Sequence, residues 1–273
     1  MRIGKKGATV RKPMVMGILN VTPDSFSDGG LYFSGGAVEH ALSMIDDGAD
    51  IIDIGGESTR PGSDPVPSDE EIRRIVPVIR ELSSVSDIPV SVDTMKTEVA
   101  EAALDAGADI INDVNGLRSE GMMELAASTG VPVVIMHMNG MPKTMQVNPM
   151  EGHVVAPIAD FLKERYEAAL DQGIKEIVLD PGIGFGKTVE QNMEIIDNAS
   201  AFSFGRPVLI GASRKRFLSD IYPGMDRDEA TVRISMKALD AGADIVRVHN
   251  VKMMADALAK HADDRTDGKD SDQ

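Results

Sequence analysis

Three stretches of this chain are near copies of one another: DGADIIDIGGE at 47–57, AGADIINDVNG at 106–116 and AGADIVRVHN at 241–250. In each copy a helical pattern ends at a glycine, which tolerates the left-handed conformation that closes many helices, and a run of β-branched residues follows. Each stretch therefore predicts a joint between a helix and the next strand. Two looser versions, QGIKEIVLD at 172–180 and STGVPVVIMHM at 128–138, are of the same kind.

Eight apolar runs have the composition of strands, and helical patterns separate them. Strands that are apolar on both faces are typical of a parallel sheet covered by helices. A doubly wound open sheet would explain five or six such units equally well, but the count of eight favours an α/β fold, the (β/α)8 TIM barrel. The runs are 15–19, 51–54, 90–92, 110–111, 133–136, 177–179, 208–210 and 245–248.

The length and the composition indicate one globular unit. A chain of 273 residues suffices for one barrel, and 42% hydrophobic residues provide material for its core. No linker or low-complexity segment divides the chain, so we expect a single barrel domain over residues 1–262. The acidic segment 263–273 lacks hydrophobic periodicity, and we expect it to be a solvated, disordered tail.

Charge and residue types exclude several classes of protein. The chain has no cysteine, which excludes disulfides and zinc–cysteine sites. A formal net charge of −16 argues against nucleic-acid binding, which needs clustered Lys and Arg. No window approaches the roughly 18 to 20 apolar residues of a membrane span, and no signal-peptide pattern follows the basic amino terminus. We therefore expect a cytoplasmic protein with no nucleic-acid or membrane partner.

Polar residues follow all eight runs. A single Asn or Asp at a strand end carries little information, because turns are polar in any protein, but eight polar ends out of eight carry more. The carboxyl ends of barrel strands meet on one face, where the active sites of such barrels lie. The residues are Asn20; Glu57 with Ser58, Thr59 and Arg60; Asp93; Asn112 with Asp113; His137; Asp180; Ser213 with Arg214 and Lys215; and Arg247 with His249.

Asp93, Asn112 and Asp180 still belong to strand-like segments, so we expect their side chains to point into the barrel mouth. Buried polar groups there need hydrogen-bond partners. Carboxylates accept from ring N–H groups, while Lys215 and an arginine can donate to a carbonyl and a ring nitrogen. This set favours a flat heterocycle such as a pterin over a sugar phosphate, which offers few donors to carboxylates.

Three segments could hold anionic groups: GGESTRPG at 55–62, GASRKRF at 211–217 and RVH at 247–249. The second segment places Ser213 where a helix could begin, beside three cationic residues. Helix N–H groups and bidentate arginines bind phosphates and carboxylates. We therefore expect a pyrophosphate at one end of the site and a carboxylate at the other.

Together these motifs resemble the dihydropteroate synthase family of pterin-binding barrels. The resemblance covers residues 14 to 259 in order, and includes MGILNVTPDSFSDGG at 16–30, SVDT at 91–94, DPGIGFGK at 180–187 and ASRKRF at 212–217. It implies a transferase of folate biosynthesis that joins 6-hydroxymethyl-7,8-dihydropterin pyrophosphate to p-aminobenzoate and releases pyrophosphate by a dissociative, SN1-like displacement. It also implies a homodimer.

The resemblance assigns roles to particular residues. It implies Mg²⁺ on Asn20 and a loop over residues 22–30 that closes on the substrates. The implied catalytic residues are Asp93, Asp180, Lys215 and Arg60. The pterin would contact Asp93, Asn112, Met136, Asp180, Phe185 and Lys215; the pyrophosphate would contact Asn20, Thr59, Arg60, Arg247 and His249; and the arylamine would contact Phe26, Thr59, Arg60, Pro61 and Ser213.

Several alternatives stay open. For Met136 and Phe185 the pterin contact is favoured, and ordinary core packing is the alternative. His137 is expected to be structural, because no second histidine stands at metal-ligand spacing. Asn250 stands where the family often has Asp, and the lost charge could alter pyrophosphate binding without abolishing it. Arg216 replaces a small hydroxyl residue found in some members, which leaves the identity of the arylamine open. The alternative functions are the same chemistry on a ribofuranosyl-aminobenzene phosphate, a pterin-binding methyltransferase, and a pterin-binding protein without activity.

Overall fold

The computed structural model is a barrel of eight parallel strands surrounded by helices. It describes residues 2–3, 8–9, 13–22, 33–58, 63–140, 145 and 147–267. The barrel strands are β1 Met14–Asn20, β2 Ile51–Gly55, β3 Val90–Asp93, β4 Ile110–Asp113, β5 Val133–Met136, β6 Ile177–Asp180, β7 Leu209–Ile210 and β8 Ile245–Val248.

The strands follow one another around the barrel in the order β6-β5-β4-β3-β2-β1-β8-β7. A single parallel bridge between Leu179 and Val208 joins the two ends of this sheet, and the Leu179 N–H donates to the Pro207 carbonyl at 3.0 Å. The (β/α)8 barrel predicted from the eight apolar runs is confirmed, and the open doubly wound sheet is excluded.

Helices cover the outside of the barrel. The last of them passes the domain boundary that the sequence predicts at 262 and ends at Asp267; residues 268–273 lie outside the described part, and the division into domain and tail stays a prediction. No described helix combines the length and the apolar character that crossing a membrane requires. The helices are α1 Phe33–Asp46, α2 Ser68–Val85, α3 Thr97–Ala106, α4 Met122–Thr129, α5 Val155–Asp171, α6 Val189–Asp197, α7 Phe217–Ile221, α8 Arg227–Asp240 and α9 Val251–Asp267.

The three repeated joints share one backbone conformation. Gly48, Gly107 and Gly242 follow α1, α3 and α8 with φ of 102°, 116° and 103°. A residue with a Cβ adopts this left-handed region only at a cost, whereas glycine enters it freely. The predicted glycine ends of the helices are confirmed.

The aspartate of each joint connects the starts of two neighbouring strands. Its N–H donates to the carbonyl of a residue at the start of the preceding strand, at 2.7 to 2.9 Å. Its carboxylate accepts the N–H of that same residue at 2.9 to 3.0 Å. The three pairs are Asp50 with Val15, Asp109 with Val90 and Asp244 with Val208. The repeated motif therefore fixes strand register at the amino-terminal end of the barrel.

The interior of the barrel has an apolar floor and a polar layer above it. Successive residues of a strand point to opposite faces, so residues two apart share a face. The floor is one buried cluster of Met14, Met16, Ile51, Ile110, Val134, Val178, Leu209 and Ile245. Two residues beyond four of these positions stand Asp53, Asn112, Asp180 and Arg247. The polar layer therefore lies toward the carboxyl ends of the strands.

Candidate active site

The polar layer centres on an arginine that bridges two carboxylates. Arg247 Nε donates to Asp53 Oδ2 at 2.6 Å, and Arg247 Nη2 donates to Asp93 Oδ2, also at 2.6 Å. Asn112 Nδ2 donates to the same Oδ2 of Asp53 at 3.1 Å. These side chains come from β8, β2, β3 and β4, so closure of the barrel brings them together. Asp93, Asn112 and Arg247 meet as the sequence predicts.

Each of the two carboxylates has one buried oxygen that accepts no hydrogen bond from the described residues. Asp53 Oδ1 and Asp93 Oδ1 have no hydrogen-bond partner among the described residues. Burial raises the pKa of Asp93 to about 7; Arg247 opposes this shift and the nearby charge of Asp53 adds to it. Asp93 ends β3 and is 9% exposed, so its bare oxygen favours a ligand that presents N–H groups, whereas Asp53 is fully buried.

The other wall of the site joins a carboxylate, an ammonium and an aromatic ring. Asp180 Oδ1 accepts the N–H of Gly182 at 2.7 Å. Lys215 Nζ donates to the Ile183 carbonyl and lies 4.3 Å from the centroid of the Phe185 ring, a cation–π contact. Burial lowers the pKa of Lys215 to about 8, against the opposing effect of Asp180. Burial also raises the pKa of Asp180.

Met136 and Phe185 belong to one buried cluster with Val114, Met138 and Met145. This packing supports the core interpretation of both residues. Phe185 also supports the ammonium of Lys215, and Met136 ends β5 one residue before His137. Core packing and a place in the wall of the site are therefore compatible for these two residues.

Ser213 and His249 contact each other at the ends of β7 and β8. Ser213 Oγ and His249 Nδ1 are 2.9 Å apart, and the His249 N–H donates to Ser213 Oγ at 3.1 Å. The expectation that a helix begins near Ser213 is wrong, because α7 begins at Phe217. Arg214 interrupts helical geometry with a φ of 56°, and its guanidinium donates twice to Asp228, at 2.7 and 2.8 Å.

Asn20 ends β1 beside Gly55 of β2, with its side chain partly exposed. Over the described ranges, no three His, Cys, Asp or Glu residues lie close enough together to hold a metal ion. Magnesium commonly takes one or two protein oxygens and completes its shell with water and phosphate. The single carboxamide oxygen of Asn20 therefore fits Mg²⁺ only in company with a phosphate ligand.

Four predicted site residues, Phe26, Thr59, Arg60 and Pro61, lie outside the described residues, as do positions 23–30 of the predicted closing loop. Their assignments stay predictions.

The segment after β2 is held at both of its ends by one lysine. Lys96 Nζ, just before α3, contacts the Glu57 carboxylate at the beginning of this segment. It donates to the Val66 carbonyl at its far end and to Glu71 Oε2 on α2, both at 2.6 Å. The Val66 N–H also donates to Glu57 Oε1 at 3.3 Å. These noncovalent contacts hold the two ends of the segment, Glu57 and Val66, close to each other.

A buried lysine organises the segment after β6. Lys187 Nζ donates to the carbonyls of Gly182 and Phe185 at 2.7 and 3.1 Å, and lies 3.0 Å from His137 Nδ1. His137 packs edge-on against Phe161 with centroids 5.0 Å apart. Burial lowers the pKa of His137 to about 3, so its ring is neutral. The prediction of a structural, hydrogen-bonded histidine is confirmed.

The sequence did not single out Asp53, Lys96 or Lys187. For Asp53 a signal exists, since it is a charged residue inside the apolar run IIDI at 51–54. Lys96 and Lys187 carry no comparable signal, because an isolated lysine in a loop is ordinarily solvated.

A family model described as "Pterin binding enzyme" matches residues 16–249. A relative from Streptococcus pyogenes named "Dihydropteroate synthase" is 48% identical over 254 residues, which cover 90% of this chain and 93% of the relative. This chain belongs to the dihydropteroate synthase family of pterin-binding enzymes. The resemblance seen in the motifs is thereby confirmed, and the chain is a transferase of folate biosynthesis.

Two solved dihydropteroate synthase structures from Xanthomonas albilineans share the fold. One, with 4-aminobenzoic acid, has a TM-score of 0.90 at 42% identity and covers 97% of this chain and 98% of that chain. The other, in complex with 7,8-dihydropteroate, has a TM-score of 0.86 at 40% identity and covers 97% and 99%.

Proposed function

We propose that this chain condenses 6-hydroxymethyl-7,8-dihydropterin pyrophosphate with p-aminobenzoate to give 7,8-dihydropteroate and pyrophosphate. The polar layer supports this proposal: Asp93, Asn112, Asp180 and Lys215 stand above an apolar floor, and no described residue donates a hydrogen bond to the buried Oδ1 of Asp93. The complexes of the Xanthomonas albilineans enzymes with 4-aminobenzoic acid and 7,8-dihydropteroate support the same two ring systems.

The donor and acceptor pattern of the site matches a pterin edge. The amino-pyrimidine ring presents N–H groups, from which Asp93, Asn112 and Asp180 can accept hydrogen bonds. It also presents a carbonyl and ring nitrogens, to which Lys215 can donate. Met136 and Phe185 supply apolar contact to the ring. A ring in this position also excludes water from the carboxylates, which strengthens their electrostatic effect.

The proposed reaction is a dissociative displacement. The bond between the CH₂ carbon and the pyrophosphate oxygen breaks, and its electron pair leaves with pyrophosphate. The electron-rich pterin spreads the resulting positive charge, which ionised Asp93 and Asp180 stabilise. The lone pair of the arylamine nitrogen then forms the new C–N bond, and that nitrogen releases a proton. The protein needs no covalent nucleophile in this scheme.

The leaving group is proposed to bind at the rim. Asn20, Arg247 and His249 surround the mouth from β1 and β8, and Thr59 and Arg60 complete the predicted pyrophosphate site. Mg²⁺ held by Asn20 would neutralise charge on the departing pyrophosphate. Phe26, Pro61 and Ser213, with Thr59 and Arg60, stay the predicted arylamine site. The homodimer and the cytoplasmic location also stay predictions.

A turnover assay with three substrate pairs tests the proposal. Purified protein and Mg²⁺ are incubated with dihydropterin pyrophosphate and p-aminobenzoate, with dihydropterin pyrophosphate and a ribofuranosyl-aminobenzene phosphate, or with methyltetrahydrofolate and a cobalamin acceptor. We expect 7,8-dihydropteroate and an equal amount of pyrophosphate from the first pair alone. Product from the second pair alone would indicate the modified pathway, methyl transfer would indicate a methyltransferase, and binding without turnover would indicate a pterin-binding protein.

A further inference from the structure

Asp53 belongs to the polar layer, but its neighbours cover it completely. Its side chain is 0% exposed and it stands in the middle of β2, opposite Ile18 of β1. Asn112 is 4% exposed and the Arg247 side chain is 20% exposed, so a ligand in the barrel mouth contacts these two side chains rather than Asp53. Both of these side chains donate to Asp53 Oδ2, at 3.1 and 2.6 Å.

The shared carboxylate decides which atom of Asn112 is available to a ligand. A carboxylate only accepts hydrogen bonds, so it turns the Nδ2 of the amide toward itself. Oδ1 is then left as the acceptor, and no described residue donates a hydrogen bond to it. An Asn112 held in this way selects a ligand with an N–H at that position. A neutral amide at position 53 would accept or donate, and would permit both orientations of Asn112.

The same oxygen also limits where Arg247 can rest. Asp53 holds Nε, while Asp93 holds only Nη2. A guanidinium anchored through Nε can turn its Nη groups away from Asp93 and toward an anion at the rim without leaving the barrel. Without the Asp53 charge, Asp93 becomes the stronger partner, and Arg247 stays on the carboxylate that the pterin needs.

We propose that Asp53 is a positioning residue for pterin binding, because one buried oxygen fixes Asn112 as an acceptor and keeps Arg247 available for release from Asp93. This inference rests on the proposed function, since it takes the pterin as the ligand of Asp93 and Asn112. Asp53 itself touches neither substrate.

The thermal stability of an Asp53 variant distinguishes a positioning role for Asp53 from a merely structural one. When Asp93 is ionised, above its pKa of about 7, Asp53, Asp93 and Arg247 together carry two negative charges and one positive charge. Replacing Asp53 by Asn leaves a balanced pair of Arg247 and Asp93, so the variant keeps or gains stability even though a buried ion pair is lost. A structural role predicts the opposite, a fall in the melting temperature.

The pH dependence of pterin binding gives a second readout. The charged groups around Asp93 are Arg247 from β8, Asp53 from β2, Glu71 from α2, Asp113 from β4 and Lys215 from the segment after β7. The negative charge of Asp53 raises the pKa of Asp93, so the Asp53→Asn substitution lowers that pKa. The acid limb of pterin binding then moves to lower pH in the variant.

Asp53→Asn is compared with wild type and with Asp50→Asn, the same change just before β2 begins. Asp50 accepts the Val15 N–H, which the amide oxygen can also do. The measurements are the melting temperature, the Kd for 6-hydroxymethyl-7,8-dihydropterin pyrophosphate against pH, and the KM for p-aminobenzoate. Asp53→Asn should melt no lower than wild type and bind the pterin about tenfold more weakly or worse, the effect of one charged hydrogen bond.

The KM for p-aminobenzoate should stay unchanged in Asp53→Asn, and Asp50→Asn should match wild type in all three measurements. Unchanged pterin affinity in Asp53→Asn, or a loss of affinity that only accompanies a lower melting temperature, would overturn the inference.

A crystal structure of Asp53→Asn distinguishes failure of this inference from failure of the proposed function. If wild type shows neither pterin binding nor turnover, the proposed function fails, and the free variant still answers the question about Asp53. Arg247 turned fully onto Asp93 is the expected result. An Arg247 that keeps its wild-type position between residues 53 and 93 would overturn the inference.

Discussion

Lys215 Nζ lies 4.3 Å from the centroid of the Phe185 ring, in a site where burial lowers the pKa of the ammonium to about 8. On the facing strand, burial raises the pKa of Asp93 to about 7. The two groups are therefore both charged only within a narrow interval of pH. The pterin needs Asp93 as an acceptor and Lys215 as a donor. Pterin affinity should therefore be highest within this interval of pH.

Pterin affinity is predicted to follow a bell-shaped pH profile. Below about pH 7 Asp93 takes up a proton and loses acceptor strength, and above about pH 8 Lys215 loses the proton that it donates. Calorimetric Kd values for dihydropterin pyrophosphate across this range check the prediction. Lys215→Arg, which stays protonated, should lose the alkaline limb and keep the acid limb. A profile that is flat through both pKa values would contradict these assignments.

Lys96→Met is predicted to destabilise the protein. Lys96 balances Glu71, whose side chain is 1% exposed, and Glu57, whose side chain is 11% exposed. Burial raises the pKa of Glu71 while Lys96 lowers it, so removal of the lysine leaves a buried carboxylate without its counter-charge. The expected loss is about 3 kcal/mol, a fall in melting temperature of roughly 6 to 12 °C by calorimetry.

The matched control for Lys96 is Lys252→Met. Lys252 pairs with Asp256 at 3.2 Å on the exposed face of α9. Exposed pairs contribute about 0 to 1 kcal/mol, so the melting temperature should hardly change. Equal losses in the two variants would refute the distinction between a buried and an exposed pair.

Two glycines of the segment after β6 are predicted to differ sharply in how well they tolerate substitution by alanine. A Cβ added to Gly182, at φ 71°, would stand 1.9 Å from the His137 carbonyl oxygen, whereas one added to Gly184, at φ 81°, would meet Lys215 Cδ at 2.8 Å. The His137 carbonyl is part of the backbone and cannot move aside, whereas the flexible side chain of Lys215 can. Gly182→Ala should therefore lower the melting temperature much more than Gly184→Ala.

Gly184→Ala should affect binding more than folding, because it displaces Lys215. Thermal melts together with pterin Kd values check both variants. Similar melting temperatures for the two alanine variants would show that the contact of Gly182 with the His137 carbonyl is not limiting.

Asp109→Ala is predicted to cost about 1 to 3 kcal/mol, because it leaves the buried Val90 N–H without its acceptor. Asp109→Asn keeps an oxygen at this position and should cost less. Denaturant unfolding of both variants measures the difference. Equal losses of stability in the two variants would show that the hydrogen bond from the Val90 N–H is not the source of the stability that Asp109 provides.

The fold was predictable because each strand can be recognised from its own short stretch of sequence. A parallel strand that is buried on both faces needs no alternation, so short apolar runs and the glycine joints sufficed to count eight strands. The runs at 133–136 and 245–248 coincide with β5 and β8. The helix expected near Ser213 failed because the left-handed backbone of Arg214 is imposed by its surroundings, including Asp228, and not by its residue type.

The site was predictable only where its residues end strands. Asp93, Asn112 and Asp180 stand at the last or next-to-last position of their strands, and Lys215 follows β7; their roles in binding stay predictions. Asp53 was missed because it stands inside its run, two residues before the end of β2. Its importance also depends on Arg247, 194 residues further along the chain, and the pairing of these two side chains exists only after the barrel closes.

Binding of the pterin by the polar layer of the barrel can be observed in a crystal structure of the protein with 6-hydroxymethyl-7,8-dihydropterin pyrophosphate. We expect the bicyclic ring inside the barrel mouth, with its N–H groups donating to Asp93, Asn112 and Asp180 and its carbonyl accepting from Lys215. A ring bound outside the mouth, with none of these four side chains in hydrogen-bond contact, would contradict it.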